Sequence, residues 1–169
     1  MFIVASVDRN WAIGKNGDLL YRIPVDLANF SALTQEKTIV YGRKTLDTFP
    51  DGKPLKGRTN VILTRDEKFS CGDATIIHDL KELEQFKTND VYIVGGESLY
   101  NQLYEQCYYA FVTHIDESQP DSDAFFPNLP EKGWKEITHS ATLTYNGIPY
   151  WFATYRNPIL DDVDKRPPL

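Results

Sequence analysis

Sulfur and imidazole are scarce in this chain: 169 residues hold 2 Cys, 3 His and 1 Met. Cys71 and Cys107 are too few for a disulfide framework and lack metal-ligand spacing, so two reduced structural thiols are expected. His78, His114 and His139 show no HxH or HExxH spacing, and no metal site is expected. No apolar run approaches the ~20 residues that span a bilayer. Met1-Phe2-Ile3-Val4 has neither the basic flank nor the small-residue cleavage site of a signal peptide. It reads as a first strand, and a cytoplasmic location is the expectation. Basic residues are in deficit, 18 Lys and Arg against 24 Asp and Glu, for a net charge of −6. That balance argues against nucleic-acid binding. An anionic ligand would require the few basic side chains to be concentrated locally. Repeats, low-complexity segments and a GxGxxG fingerprint are all missing.

What is present describes one ordinary globular domain, 41% apolar and 25% charged, long enough to bury a core without staples. Short β-branched or aromatic runs predict strands at 2–7, 38–41, 59–64, 74–77, 91–94 and 108–114. Helices are expected at 25–33, 44–48, 80–86 and 97–106. Two longer strands, about 134–144 and 150–155, close the chain across Tyr145-Asn146-Gly147, a strong hairpin-turn signal. Continuously apolar runs such as Ile3-Val4-Ala5 and Val61-Ile62-Leu63 suit a sheet covered on both faces, hence parallel strands with helical crossovers. The class is α/β with an antiparallel C-terminal hairpin. Pro24 fits a first helical turn, and Asp79 with Glu82 reads as a capping box. From Asn157 onward the composition turns charged and proline-rich, and 157–169 reads as a loosely held tail.

Ligands of parallel α/β sheets bind beyond the carboxyl ends of the strands. Here one predicted strand runs into Gly42-Arg43-Lys44-Thr45, a second into Arg65, and a third into Gly95-Gly96-Glu97-Ser98. Glycines permit close backbone approach, helix starts offer free N–H groups, and the basic side chains supply charge. Together they predict a phosphate cradle for a dinucleotide. Arg43, Lys44 and Arg65 favour one with an extra phosphate, NADPH over NADH.

Asp26 opens the first helix. Its plain reading is an acid favoured by the helix dipole. Phe30 shares its face and Leu27 lies beside it, so the acid is placed to line an apolar pocket, where desolvation raises a pKa and suits proton handling. Tyr41 and Thr113 offer polar partners. If Thr113 points inward, its hydroxyl can hold Asp26 while His114 points away.

The ordered segments Val7-Asp8-Arg9-Asn10-Trp11-Ala12-Ile13-Gly14-Lys15-Asn16-Gly17, Ile23-Pro24-Val25-Asp26-Leu27, Gly42-Arg43-Lys44-Thr45, Pro54-Leu55-Lys56-Gly57-Arg58-Thr59-Asn60, Ile93-Val94-Gly95-Gly96-Glu97-Ser98-Leu99-Tyr100 and Thr113-His114-Ile115 carry a resemblance. Over about residues 1–156 the chain resembles bacterial dihydrofolate reductases. The resemblance implies a single domain built on a central eight-stranded, mostly parallel twisted sheet with a C-terminal antiparallel hairpin and about four helices. It implies reduction of dihydrofolate by NADPH for one-carbon metabolism, dihydrofolate and antifolate inhibitors as ligands, and a monomer.

By the same resemblance Asp26 is the carboxylate that bonds the pterin, with Thr113 as its hydroxyl partner. Val4, Ala5, Leu27, Phe30 and Val94 are walls around the pterin, Phe49 and Leu55 flank the aminobenzoyl ring, and Arg58 pairs with the α-carboxylate of the substrate's glutamate. Gly42, Arg43, Lys44, Thr45, Leu63, Thr64 and Arg65 line the NADPH path, as do Val94, Gly95, Gly96, Glu97, Ser98, Leu99 and Tyr100. Backbone groups of Ser6 and Ile13, beside Gly14, hold the nicotinamide carboxamide, and Leu19 tips the mobile loop that closes over it. The family commonly has Trp where this chain has Tyr21, which keeps a ring and a polar tip able to hold a water near Asp26. Two rivals stand beside this reading. One is the NADPH-dependent reductase of riboflavin biosynthesis, acting on a phosphorylated pyrimidine; the other is a nucleotide-binding module without catalysis.

Overall fold

A computed structural model describes residues 1–86 and 90–160. In chain order the elements are β1 (Phe2–Val7), β2 (Ala12–Lys15), β3 (Asp18–Leu19), α1 (Pro24–Thr34), β4 (Thr38–Gly42), α2 (Arg43–Leu46), β5 (Thr59–Leu63) and β6 (Thr75–Ile77). There follow β7 (Val91–Gly95), α3 (Glu97–Leu103), β8 (Tyr109–Ile115), β9 (Ala124–Phe125), β10 (Lys135–His139), β11 (Leu143–Tyr145) and β12 (Ile148–Arg156). The main sheet runs β10-β12-β8-β1-β7-β4-β5-β6, with β11 pairing β12 beside that path. β8, β1, β7, β4, β5 and β6 are mutually parallel, and the β12 and β10 edge is antiparallel. This is the expected α/β sheet.

The apolar runs work as predicted because successive side chains leave a strand on opposite faces. From β1, Ile3, Ala5 and Val7 enter one core, while Phe2 and Val4 enter the other. α3 covers the first face through Leu99, Tyr100 and Leu103. α1 covers the second through Phe30 and Leu33.

Chain order fixes where a ligand can sit. β4, β5 and β6 step away from β1, and β7 then returns to lie between β1 and β4. Connections leaving β1 and β7 therefore diverge, which opens a crevice at the carboxyl ends of these strands.

Four local expectations change. The strand expected over 134–144 is two strands. From His139 to Leu143 the outer chain advances four residues, while β12 advances three, from Ala153 to Tyr150. Ser140 fills the irregularity, its hydroxyl accepting the Phe152 N–H at 2.9 Å. The segment expected as a helix at 80–86 is a 3-10 turn, Leu80–Gln85, started by the expected box: Asp79 accepts from the Lys81 N–H and Glu82 from the Asp79 N–H. The helix expected at 97–106 tightens into a 3-10 turn at Tyr104–Gln106. Asn157, placed in the tail, is buried, and its side-chain amide donates to the carbonyls of Glu105 and Cys107. The tail's residues 161–169 lie outside the described residues.

A small second sheet, β3-β2-β9, was not foreseen. Its signal was present: Asn16 and Gly17 join β2 to β3 with φ of 52° and 79°, the same dipeptide and the same positive-φ turn as Asn146-Gly147. No helix among the described residues is long and apolar enough to cross a membrane.

Candidate active site

A cleft of about 1340 Å³ lies over the carboxyl ends of β1, β4, β5 and β7, between α1 and the small sheet. Asp26, in the first turn of α1, faces it. Its Oδ1 accepts a hydrogen bond from Thr113 Oγ1 of β8 at 2.5 Å. Thr113 is 4% exposed and does not line the cleft, so it reaches Asp26 from behind. Burial pushes the Asp26 carboxyl above the ordinary carboxylate range, against the hydroxyls of Thr113 and Ser6, which favour the charged form. Tyr21 and Asp26 both line a second, small cavity of about 30 Å³. Burial pushes the Tyr21 phenol up, and the carboxylates that act on it are Glu117 and Asp8. Tyr41, the other polar partner considered for the acid, is fully buried and bonds Asn60 instead. His114 points the other way, with Nε2 2.9 Å from the Tyr155 hydroxyl.

Around Asp26 the walls are apolar. Val4 and Ala5 come from β1, Val94 from β7, Leu27 and Phe30 from α1, and Phe49 and Leu55 from the segment after α2. Arg58 closes this end. Nε donates to Thr34 Oγ1 at 3.2 Å, Nη1 to the Lys56 carbonyl at 2.7 Å, and Nη2 to Ser31 Oγ at 2.8 Å and to the Ser31 carbonyl at 3.2 Å. Every one of these partners is neutral, and no carboxylate among the described residues pairs with it. A positioned, uncompensated guanidinium thus faces the cleft.

Glycine turns and basic residues form the opposite end. Gly42, Arg43, Lys44 and Thr45 leave β4; Leu63, Thr64 and Arg65 leave β5. Arg43 is held on two sides, by Asp47 at 3.0 Å and by the Phe69 ring, whose centroid is 4.7 Å from its guanidinium carbon. Lys44 and Arg65 have no ion pair among the described residues. From β7, Gly95 and Gly96 lead into Glu97, Ser98, Leu99 and Tyr100. Gly95 has φ +148°, and a Cβ there would meet Thr45 Oγ1 at 2.9 Å, so only glycine lets α2 seat against the end of β7.

The third wall is the small sheet, with Ile13, Gly14 and Leu19 on the cleft. It is tied down from the segment after β8: Asp123 accepts the Asn16 N–H at 2.9 Å, and Asp8 accepts the Gln119 N–H at 2.9 Å. Glu97 accepts the Phe125 N–H at 2.9 Å, joining α3 to the same sheet.

The cleft also holds residues that the sequence did not single out: Ser31, Arg22, Asp18, Thr48, His78 and Asp123. Ser31 was findable, four residues beyond Leu27 on one helical face. Asp123 and His78 were not, because only long-range packing brings them here. Among the described residues no cluster of His, Cys, Asp or Glu suits a metal ion.

Comparison with known proteins gives one consistent finding. The family model described as dihydrofolate reductase matches residues 1–157. The dihydrofolate reductase of Staphylococcus haemolyticus is 31% identical over 150 residues, covering 88% of this chain and 89% of that protein. That of Mycobacterium tuberculosis is 32% identical over 146 residues, with 85% and 89% covered. A solved dihydrofolate reductase from Enterococcus faecalis, complexed with NADP(H) and RAB-propyl, superposes with a TM-score of 0.79 over 92% of this chain and 94% of that one; at 24% identity it speaks to the fold alone.

Proposed function

The chain belongs to the dihydrofolate reductase family, and from that premise we propose a residue-by-residue account of how it reduces 7,8-dihydrofolate with NADPH to tetrahydrofolate. The observation that carries the account is Asp26: a half-buried carboxyl, held by Thr113, that opens into a cleft shared with an uncompensated Arg58 and a basic, glycine-lined far end. A cleft of about 1340 Å³ exceeds the ~300–1,000 Å³ usual for one small ligand and has room for two side by side.

The donor set suits NADPH. Arg43, Lys44 and Arg65 lie where a phosphorylated dinucleotide needs cations, beside backbone that Gly42, Gly95 and Gly96 leave open to close approach. Thr45, Leu63, Thr64, Glu97, Ser98, Leu99 and Tyr100 would line its path, and backbone groups of Ser6 and Ile13, beside Gly14, would hold the carboxamide. When bound, NADPH supplies the hydride that reaches pterin C6.

The chain's own residues do the rest. Asp26 binds the pterin edge, and its negative charge favours the protonated heterocycle, so that N5 can gain its proton. Thr113 fixes the carboxyl, and Tyr21 holds a water beside it. Val4, Ala5, Leu27, Phe30 and Val94 keep the pterin flat and dry, Phe49 and Leu55 flank the aminobenzoyl ring, and Arg58 takes the glutamate α-carboxylate. Leu19 rides on the loop that closes over the reacting rings.

We read residues 1–156 as one catalytic domain working as a cytoplasmic monomer, open to antifolate inhibitors at the pterin end; two free cysteines fit a reducing compartment. The deciding experiment follows NADPH absorbance on adding dihydrofolate, in parallel with a phosphorylated ribosylaminopyrimidine. Oxidation with dihydrofolate alone is expected. Oxidation with the pyrimidine alone, or with neither, overturns the reading.

A further inference from the structure

Ser6 Oγ is buried, and among the described residues it has no hydrogen-bond partner. A buried hydroxyl left without a partner calls for an explanation, because it loses its water on folding and gains nothing in return. Its position supplies one. Ser6 and Thr113 are register partners across the parallel β1–β8 pair, so their side chains leave the same face of the sheet. Thr113 uses that direction to bond Asp26. Ser6 points into the same space, near enough for its hydroxyl to favour the ionised carboxyl yet outside direct hydrogen-bond reach of it. Ser6, Asp26 and Tyr21 are among the residues that line the small cavity of about 30 Å³, which has room for a water.

We propose that Ser6 is a positioning residue for Asp26: its hydroxyl and the Tyr21 ring seat one water against the carboxyl, a second source of hydrogen bonding beside Thr113. The inference rests on Asp26 being the acid of the site. A hydroxyl both donates and accepts, so Ser6 can hold the water in either orientation as Asp26 gains or loses its proton. An alanine there would leave the water with one anchor fewer and the ionised carboxylate with less compensation for its burial.

Other groups near this cavity have partners or face elsewhere. Asp8, at its β1 edge, is taken up by the N–H groups of Asn10, Ala12 and Gln119. Tyr21 feels Asp8 and Glu117, which both oppose its ionisation. Arg22 is paired with Asp18 at 2.8 Å. His114, next to Thr113, turns to Tyr155.

The test follows the Asp26 carboxyl by 13C NMR titration in the whole protein, without ligands and with NADPH, for the wild type, Ser6→Ala and Ser6→Thr. Ser6→Ala should move the Asp26 midpoint up by about half a pH unit, a threefold change in its ionisation equilibrium. Ser6→Thr, which keeps the hydroxyl, should bring it back. The pH limb of turnover should move in the same direction by the same amount. An unchanged midpoint in Ser6→Ala, or a midpoint that Ser6→Thr fails to restore, overturns the proposal. Asp26→Asn distinguishes the two levels of the argument: full turnover in that variant removes Asp26 as the acid, whereas the NMR midpoint still reports whether Ser6 acts on it.

Discussion

Asp26 and Thr113 stand 87 positions apart in the chain and share a 2.5 Å hydrogen bond, Thr113 donating. The bond fastens the first turn of α1 to the sheet and aims one carboxyl oxygen away from the cleft. Because burial lifts this acid's pKa, its ionised form is a cost to the folded state. The native carboxyl holds its proton to higher pH than the unfolded one, so its contribution to stability is complete below the unfolded pKa and is lost as pH rises through the folded value. Asp26→Asn keeps an oxygen for Thr113 and removes the charge. Turnover near neutral pH should fall a hundredfold or more, on the order of a lost proton-handling group. The melting temperature should rise at pH 7, and the gain should shrink on acidification. Calorimetry across pH checks the second half, and a variant less stable than wild type at pH 7 refutes it.

Arg58 is gripped by neutral oxygens, the hydroxyls of Ser31 and Thr34 and the backbone carbonyl of Lys56. Its charge is left for a ligand. Arg58→Ala should raise the KM for dihydrofolate roughly ten- to hundredfold, as for loss of a charge-assisted hydrogen bond of about 1.5–3 kcal/mol. A pterin without glutamate should be indifferent to the change. Ser31→Ala, which only loosens the grip, should show a smaller effect of the same kind. Equal loss for both substrates would remove the pairing.

Phe69 does not line the cleft but backs Arg43, whose guanidinium lies over its ring. A cation–π contact at this exposure is worth about 0.5–1 kcal/mol. Phe69→Ala should raise the KM for NADPH two- to fivefold and leave kcat unaltered, with Phe69→Tyr restoring it. With Arg43→Ala as background the effect of Phe69→Ala should vanish. Additive losses in that double-mutant cycle would show that Phe69 acts elsewhere.

Trp151 is sandwiched between two imidazoles, His114 at 5.2 Å and His139 at 5.5 Å. Burial pushes His114 down to about 4. Its neutral form is the native one, so the stability it contributes is whole above the unfolded value near 6.5 and drains away as pH falls toward 4. His114→Phe should flatten the decline in melting temperature between pH 6.5 and 4 and change it little above pH 7. A decline as steep as in the wild type would assign the acid sensitivity to other groups.

Much of this was legible locally. β-branched runs gave the strands, Pro24 the start of α1, Asp79 with Glu82 a cap, and Asn146-Gly147 the last hairpin. These signals depend on φ, ψ and capping geometry within a few residues, which composition carries directly. Where the alternating pattern met an inserted residue, as at Ser140, the same local logic predicted one strand and the sheet made two. Asn16-Gly17 carried its turn signal too, yet two short strands bury too little to announce themselves.

The chain's letters alone determined the two-faced apolar strands, the glycine and basic turns, and an acid on the apolar face of a first helix. Only the folded molecule decided that β7 lies between β1 and β4, that Thr113 reaches Asp26 from behind, that Ser6 points beside it without a partner, and that Arg58 is gripped but uncompensated. Periodicity assigns a side chain to a face. Which distant side chain it meets there is set by strand order and register, and these come from packing of the whole core, which no short window of sequence contains.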